Sequence, residues 1–325
     1  MKKLLCLVPL LILLSCGNPR IERLPDSTET GLTDYLRSRH MSPADLILRS
    51  SEDSRGVLLT GTRGLQSDIT LLRYLVPVLH DAGHPSMALW FLHSGDEERI
   101  EAFMSGSDES ITAEDLLFRA DPARAGYTEY RDFLDYLKAF NAALPENSTF
   151  RVSGLPPLPD QADPFLVYTI PELPVSSGTR DRVLIHNPLQ NSSGHWEIPF
   201  QGGLVHLMIH KWSLYRYSGI LLSDSPFGDL YLTIEDRDAG RKVSEQYDGL
   251  ILMGDREIFQ PLSLLEGFIN EGNTAAALES FPDQWIREQI KPAAYLMNRK
   301  LSSRHNRLTG VLEDMEVSAE EHYPQ

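Results

Sequence analysis

Apolar residues fall along this chain in short runs separated by longer amphipathic stretches. Residues 56–60 (GVLLT) and 86–92 (SMALWFL) are apolar almost throughout, the pattern of strands buried on both faces. Between them, Ile69, Leu72, Leu75, Val76 and Leu79 recur at helical spacing, which predicts a helix over 68–82 with one face on a sheet. The helical pattern continues over 96–104 and over 111–143. Further strands are expected at 150–155 (FRVSGL), 182–186 (RVLIH), 217–223 (YSGILLS) and 249–253 (GLILM), and an apolar piece at 164–173 has no clear periodicity. Short helices are expected at 31–39 and at 42–49, where Ser42-Pro43 supplies an N-cap and a first-turn proline. Residues 201–212 also read as a helix, and the chain ends helically over 263–270, 274–279 and about 284–301. Strands alternating with helices predict an α/β fold: a single domain with a mostly parallel central sheet flanked by helices, and a C-terminal helical segment.

The first residues, MKKLLCLVPLLILLSCGN, carry a different pattern. Lys2 and Lys3 form a positive start, Leu4 to Leu14 an apolar run too short to span a bilayer comfortably, and Ser15 a small residue before Cys16. The segment Leu13-Leu14-Ser15-Cys16 resembles the bacterial lipobox, at which a signal peptidase cuts before a lipid-modified cysteine. That resemblance implies a lipoprotein signal peptide over 1–15, lipid attachment at Cys16, and a bacterial membrane as partner, with Gly17 pointing to the outer membrane. Residues 16–30 are then a polar tether with two prolines, 31–312 the α/β domain, and 313–325 an acidic tail.

Composition narrows the chemistry. Both cysteines of the 325-residue chain lie in the first sixteen positions, so the domain itself has no thiol for a disulfide, a zinc-thiolate site or a cysteine nucleophile. Thirty basic residues against 46 acidic give a formal charge of −16, made more negative when Lys2 and Lys3 leave with the signal. A nucleic-acid partner is therefore not expected, because neutralising phosphates needs a basic face.

In an open parallel sheet, ligands bind beyond the carboxyl ends of the strands. The first loop there, GTRGLQSD (61–68), has two glycines before a helix start, so its amides can approach an anion; it lacks the Walker lysine and the dinucleotide spacing. The alternative is a tight turn capped by Ser67 or Asp68. The stretch GVLLTGTRGLQSDITLLRYLVPVLHDAGHPSMALW (56–90) resembles the opening of the superfamily shared by erythromycin esterases, ChaN-type haem-uptake lipoproteins and Tiki proteins. There a strand leads into Gly-Glu-x-His-Gly, a helix follows, and the next strand ends in glutamate. YRDFLDYLKAFNAALPENSTFRVSGL (130–155), RVLIHNPLQNSSGHW (182–196), SPFGDLY (225–231) and YDGLILMGD (247–255) resemble later segments, so the likeness spans about residues 50–260.

The resemblance implies a scaffold whose catalytic residues are replaced. Thr62 stands where the family has glutamate, Gly64 where it has histidine, and Trp90 where the second strand ends in glutamate. The later histidine falls near Gln190, with His186 and His195 offset from it. None of Thr62, Gly64 and Trp90 can serve as a base to activate water. The expectation is a pseudoenzyme that binds an unknown small molecule or envelope protein in a cleft formed by Thr62, Arg63, Gly64, Asp68, Trp90, His186, Asn187 and His195. Arg63 and Asp68 are read as rim or surface charges, and Trp90 as either a flat apolar surface or a core residue.

Two alternatives stay open. One is a haem- or divalent-metal-binding uptake lipoprotein using His206 and His210, four apart on the expected helix, with help from His186 or His195. The other is a hydrolase with catalytic groups relocated around His186 and His195. His80 and His84 are also four apart, but Gly83 and Pro85 end the helix between them. No Gly-x-Ser-x-Gly elbow occurs, and Ser225-Pro226 reads as a turn.

Overall fold

The structure is a computed structural model. It describes residues 30–31, 34–35, 38–39, 41–50, 55–61, 65–122, 124–145, 148–155, 164–170, 180–186, 189–190, 196–200, 203–207, 217–223, 225–229, 242–253, 262–270, 272–273 and 275–277. The first described helix of any length is α1 (Pro43–Ser50). The Ser42 hydroxyl accepts the Asp45 N–H at 3.0 Å and donates to the Asp45 carboxylate at 2.7 Å, so the expected cap is formed. Because Ser42 satisfies an otherwise orphaned amide, Ser42→Ala is expected to cost about 1 kcal/mol. Chemical denaturation of the two proteins checks this through a lowered midpoint at unchanged slope.

β1 (Val57–Thr60) and β2 (Ser86–His93) follow the apolar runs, joined by α2 (Gln66–Asp81). Then come α3 (Glu97–Ser105), α4 (Ala113–Ala120) and α5 (Thr128–Ala143) before β3 (Arg151–Leu155). The helical pattern over 111–143 is thus two helices. Thr112 and Asp115 form a reciprocal capping box at the start of α4, and Pro122 and Gly126 lie in the break before α5. Asp96, buried at the start of α3, holds α4 through Arg119, whose Nε lies 2.8 Å and Nη2 2.6 Å from the same carboxylate oxygen.

The apolar piece at 164–173 becomes β4 (Leu166–Thr169), which enters the sheet between β2 and β1. β5 (Asp181–His186), β9 (Tyr217–Leu221) and β10 (Gly249–Met253) complete a seven-stranded sheet of order β3-β2-β4-β1-β5-β10-β9. Every neighbouring pair is parallel except β10 with β9, so the mostly parallel α/β architecture is as the sequence predicts. α1 crosses the antiparallel edge closely. A side chain at Gly219 would stand 2.8 Å from the Leu46 Cβ, so the bare backbone of that strand lets the helix seat. Short α6 (Val243–Gln246) precedes β10.

Two expected helices are corrected. Residues 203–207, read as part of a helix, form β8 (Gly203–Leu207), paired antiparallel with β7 (Trp196–Phe200), which pairs in turn with β6 (Leu189–Gln190). The pairing Phe200↔Gly203 leaves only Gln201 and Gly202 between the strands, and a short loop with glycine is a hairpin signal that the apolar spacing of VHLMIH obscured. Residues 262–270 are not helical either. Leu264 bridges to Tyr127, Thr128 N–H donates to Ser263 O at 2.8 Å, and Leu265 N–H to Gly126 O at 2.9 Å, so tertiary hydrogen bonds take the place of helical ones. Residues 275–277 are helical, as expected for that stretch. The segment 284–301, the signal, the tether up to residue 29 and the acidic tail lie outside the described residues.

Candidate functional site

The chain runs from β1 outward to β2 and β3, returns to β4 beside β1, and then passes β1 to reach β5. The strand order therefore reverses at the β4/β1 pair, and the carboxyl ends of these two strands are where an open sheet offers a crevice. Thr60 pairs with Thr169 there, and Gly61 N–H donates to Thr169 O at 2.9 Å. The start of α2 and the end of β2 converge on the same place.

Among the described residues, what stands there is mainly side chain. Asp68 lies in the first turn of α2 and is completely buried, which corrects its reading as a rim charge. It does not cap the helix; the residue before α2 is Leu65, which offers no side-chain cap. Instead its carboxylate accepts the Tyr168 hydroxyl from β4 at 3.1 Å and the Ser67 hydroxyl at 3.3 Å. An acidic group in a first turn also meets the positive end of the helix dipole. Tyr168 is buried as well, and burial first, with the Asp68 carboxylate second, pushes its phenol well above the usual tyrosine range. Gly61 makes the approach possible, because a β-carbon there would overlap Asp68 Oδ2 and stand 2.7 Å from Tyr168 Cε2.

Trp90 is 4% exposed and belongs to the core. Its ring meets Phe91 edge-on at 5.7 Å and Tyr130 edge-on at 5.6 Å, while Phe91 and Tyr130 stack at 4.4 Å. The indole N–H is buried beside Tyr168 without a hydrogen bond of acceptable geometry. Just outside this cluster, Glu129 at the start of α5 accepts Gln66 Nε2 at 2.9 Å and Ser263 N–H at 2.8 Å, so one carboxylate ties α2, α5 and the 262–265 segment together. Spacing gave no sign of Glu129 or Tyr168, because their partners are 63 and 100 positions away in sequence.

The remaining expected cleft residues are placed as follows. Thr62, Arg63, Gly64, Asn187 and His195 lie outside the described residues, and His186 is described only as the last position of β5. His206 lies on β8, which removes the helical face it was to share with His210, itself outside the described residues. His80 Nε2 lies 2.8 Å from Ser148 Oγ, and His84 stacks on Phe165 at 4.0 Å; these two serve packing on either side of Gly83, whose φ of +81° ends the helix. Ser225 accepts the Phe227 N–H at 3.1 Å, the turn read from the sequence. Among the described residues, no three His, Cys, Asp or Glu side chains stand close enough together to hold a metal ion.

A concavity absent from the sequence reading lies at the sheet's outer edge. A groove of about 580 Å³ runs between α3 and the edge strand β3, lined by Glu97, Glu101, Met104 and Ser105 on one side and by 149–153 on the other. Glu97 Oε1 accepts the outward N–H of Gly154 at 3.2 Å, which fastens the helix to the strand edge. No family model, no curated protein and no solved structure matches this chain.

Proposed function

We propose that this protein is a bacterial envelope lipoprotein, anchored through lipid on Cys16 in the outer membrane, whose α/β domain binds a ligand or partner and does not hydrolyse one. The observation that carries the non-hydrolytic half is the packing at the carboxyl ends of β1, β2 and β4. A hydrolase needs a base that reaches both water and substrate. Here the one described carboxylate beneath the first loop, Asp68, is fully buried and engaged by Tyr168, and Trp90 is walled in by Phe91 and Tyr130. The anchoring half rests on the lipobox-like Leu13-Leu14-Ser15-Cys16 and the positive, then apolar, residues before it. Several acyl chains on one residue hold a protein firmly on a membrane.

Two measurements test the two halves. A panel of carboxylic and phosphoric esters is expected to show no turnover above background; turnover that disappears in Asp68→Asn or His195→Ala overturns the non-hydrolytic reading. Mass spectrometry of the protein isolated from bacterial membranes is expected to find acylated Cys16 as the mature N-terminus. An unmodified cysteine, or a chain still beginning at Met1, overturns the anchor.

A further inference from the structure

We infer that the groove between α3 and β3 is a binding site for a small apolar amine: a protonated amino group carried on an aliphatic or aromatic body. This rests on the binding reading above and assigns the site and its ligand class. Among the described residues, Asp68, Tyr168 and Trp90 occupy the carboxyl ends of β1, β2 and β4, and a concavity with room for a ligand lies at the other end of the sheet's edge. Ser86 and Arg151, which open β2 and β3, line it, as do Met104 and Ser105 from the end of α3. Its volume of about 580 Å³ lies inside the range of small-molecule sites.

The polarity of the groove selects the charge. Glu97 and Glu101 are four apart on α3, so they share the helix face that forms one wall. Glu101 has no ion-pair or side-chain hydrogen-bond partner among the described residues. α3 ends in the groove with Gly106 left-handed after its last turn, and a helix C-terminus carries partial negative charge from its carbonyls. The strand wall adds a main-chain acceptor. Arg151 N–H faces β2's side, donating to Pro85 O at 2.7 Å, whereas Gly154 N–H faces outward to Glu97. Alternation along β3 therefore turns the amide and carbonyl of Val152 outward as well, on the edge that no described strand covers. Arg151 is the one cation in the lining; it and Glu101 are both exposed, so water screens the two charges alike. Two carboxylates, a helix C-terminus and an outward-facing carbonyl outnumber the one guanidinium, so the lining favours a cation.

The apolar half comes from Met104, Val152 and Pro164, with Met87 and Phe150 beneath them. Methionine accommodates bodies of differing shape. Hydroxyls of Ser105, Thr149 and Ser153 complete the lining. An ammonium near Glu101 with its body along Met104 satisfies both halves together.

Titration calorimetry of the full chain in detergent with octylamine, octanol and octanoate tests this. Octylamine is expected to bind saturably at one site, at least tenfold more tightly than octanol or octanoate. Glu101→Gln, on the exposed face of α3, is expected to weaken octylamine at least fivefold without moving the thermal midpoint. Met104→Trp is expected to fill the groove and abolish binding; should that variant not fold, the Glu101→Gln comparison decides. Absence of saturable binding, equal affinity for octanol, or an unchanged affinity in Glu101→Gln overturns the assignment. Ester turnover would overturn the non-hydrolytic reading while leaving the octylamine result to stand or fall separately.

Discussion

Phe91→Ala is expected to lower the unfolding free energy by about 4 kcal/mol, in the range for deleting a buried aromatic ring. Phe91 is completely buried on β2 and stands at the centre of the aromatic cluster. It stacks on Tyr130 at 4.4 Å and meets Trp90, Phe133 and Tyr168 at 5.7, 6.4 and 6.4 Å. Removing the ring takes away the transfer energy of its apolar surface and leaves a hole bordered by four aromatic residues, none of which can fill it without leaving its own rotamer. Tyr74, the one large apolar side chain with substantial exposure among the described residues, is the control: Tyr74→Ala is expected to change stability by no more than about 0.5 kcal/mol. Urea unfolding followed by circular dichroism measures both, and equal effects would mean that the cluster is not the packing centre of the sheet.

The buried pair at the carboxyl ends of β1 and β4 gives the second large effect. Asp68→Ala is expected to cost about 3 kcal/mol, because the Tyr168 hydroxyl is left buried and unpaired and α2 loses a favourable first-turn acid. Asp68→Asn keeps an acceptor and is expected to cost about half as much. Tyr168 also makes a pH signature. Its phenol is pushed upward by burial and then by Asp68, so the folded state holds the proton more tightly than the unfolded chain does. Below about pH 10 both states are protonated and the contribution is fully present. As pH rises above that value the unfolded chain releases the proton and the folded chain keeps it. Stability therefore falls towards the raised folded value, by up to about 1.4 kcal/mol per pH unit. Thermal midpoints between pH 8 and 11.5 are expected to fall more steeply for the native chain than for Tyr168→Phe. Parallel curves would show that this phenol keeps an ordinary pKa.

Much of the architecture was legible because the burial of a parallel sheet is written locally. GVLLT and SMALWFL have no polar side, so they can only be strands covered on both faces, and the 3.6-residue spacing from Ile69 to Leu79 gives the covering helix between them. Ser42-Pro43 marked the start of α1 because a cap is a contact between near neighbours. The failures share the opposite cause. Leu166–Thr169 is four residues long and flanked by prolines, and its place between β2 and β1 depends on partners about 80 and 110 positions away. Residues 203–207 have spacing compatible with either helix or strand, and β7 decided it by pairing. Residues 262–265 gave up helix for hydrogen bonds to the start of α5.

The same division holds for chemistry. The sequence by itself determined that everything after Cys16 has no thiol and that the chain is strongly acidic. These are matters of residue identity and need no partner. Only the tertiary structure decided that Asp68 is sealed beneath Tyr168, that Trp90 is core, and that a concavity lies against the edge strand β3. A carboxylate four residues after a glycine-rich turn looks the same on paper whether water or a phenol faces it. What faces it is set by the strand that folds in alongside, a hundred residues later in the chain.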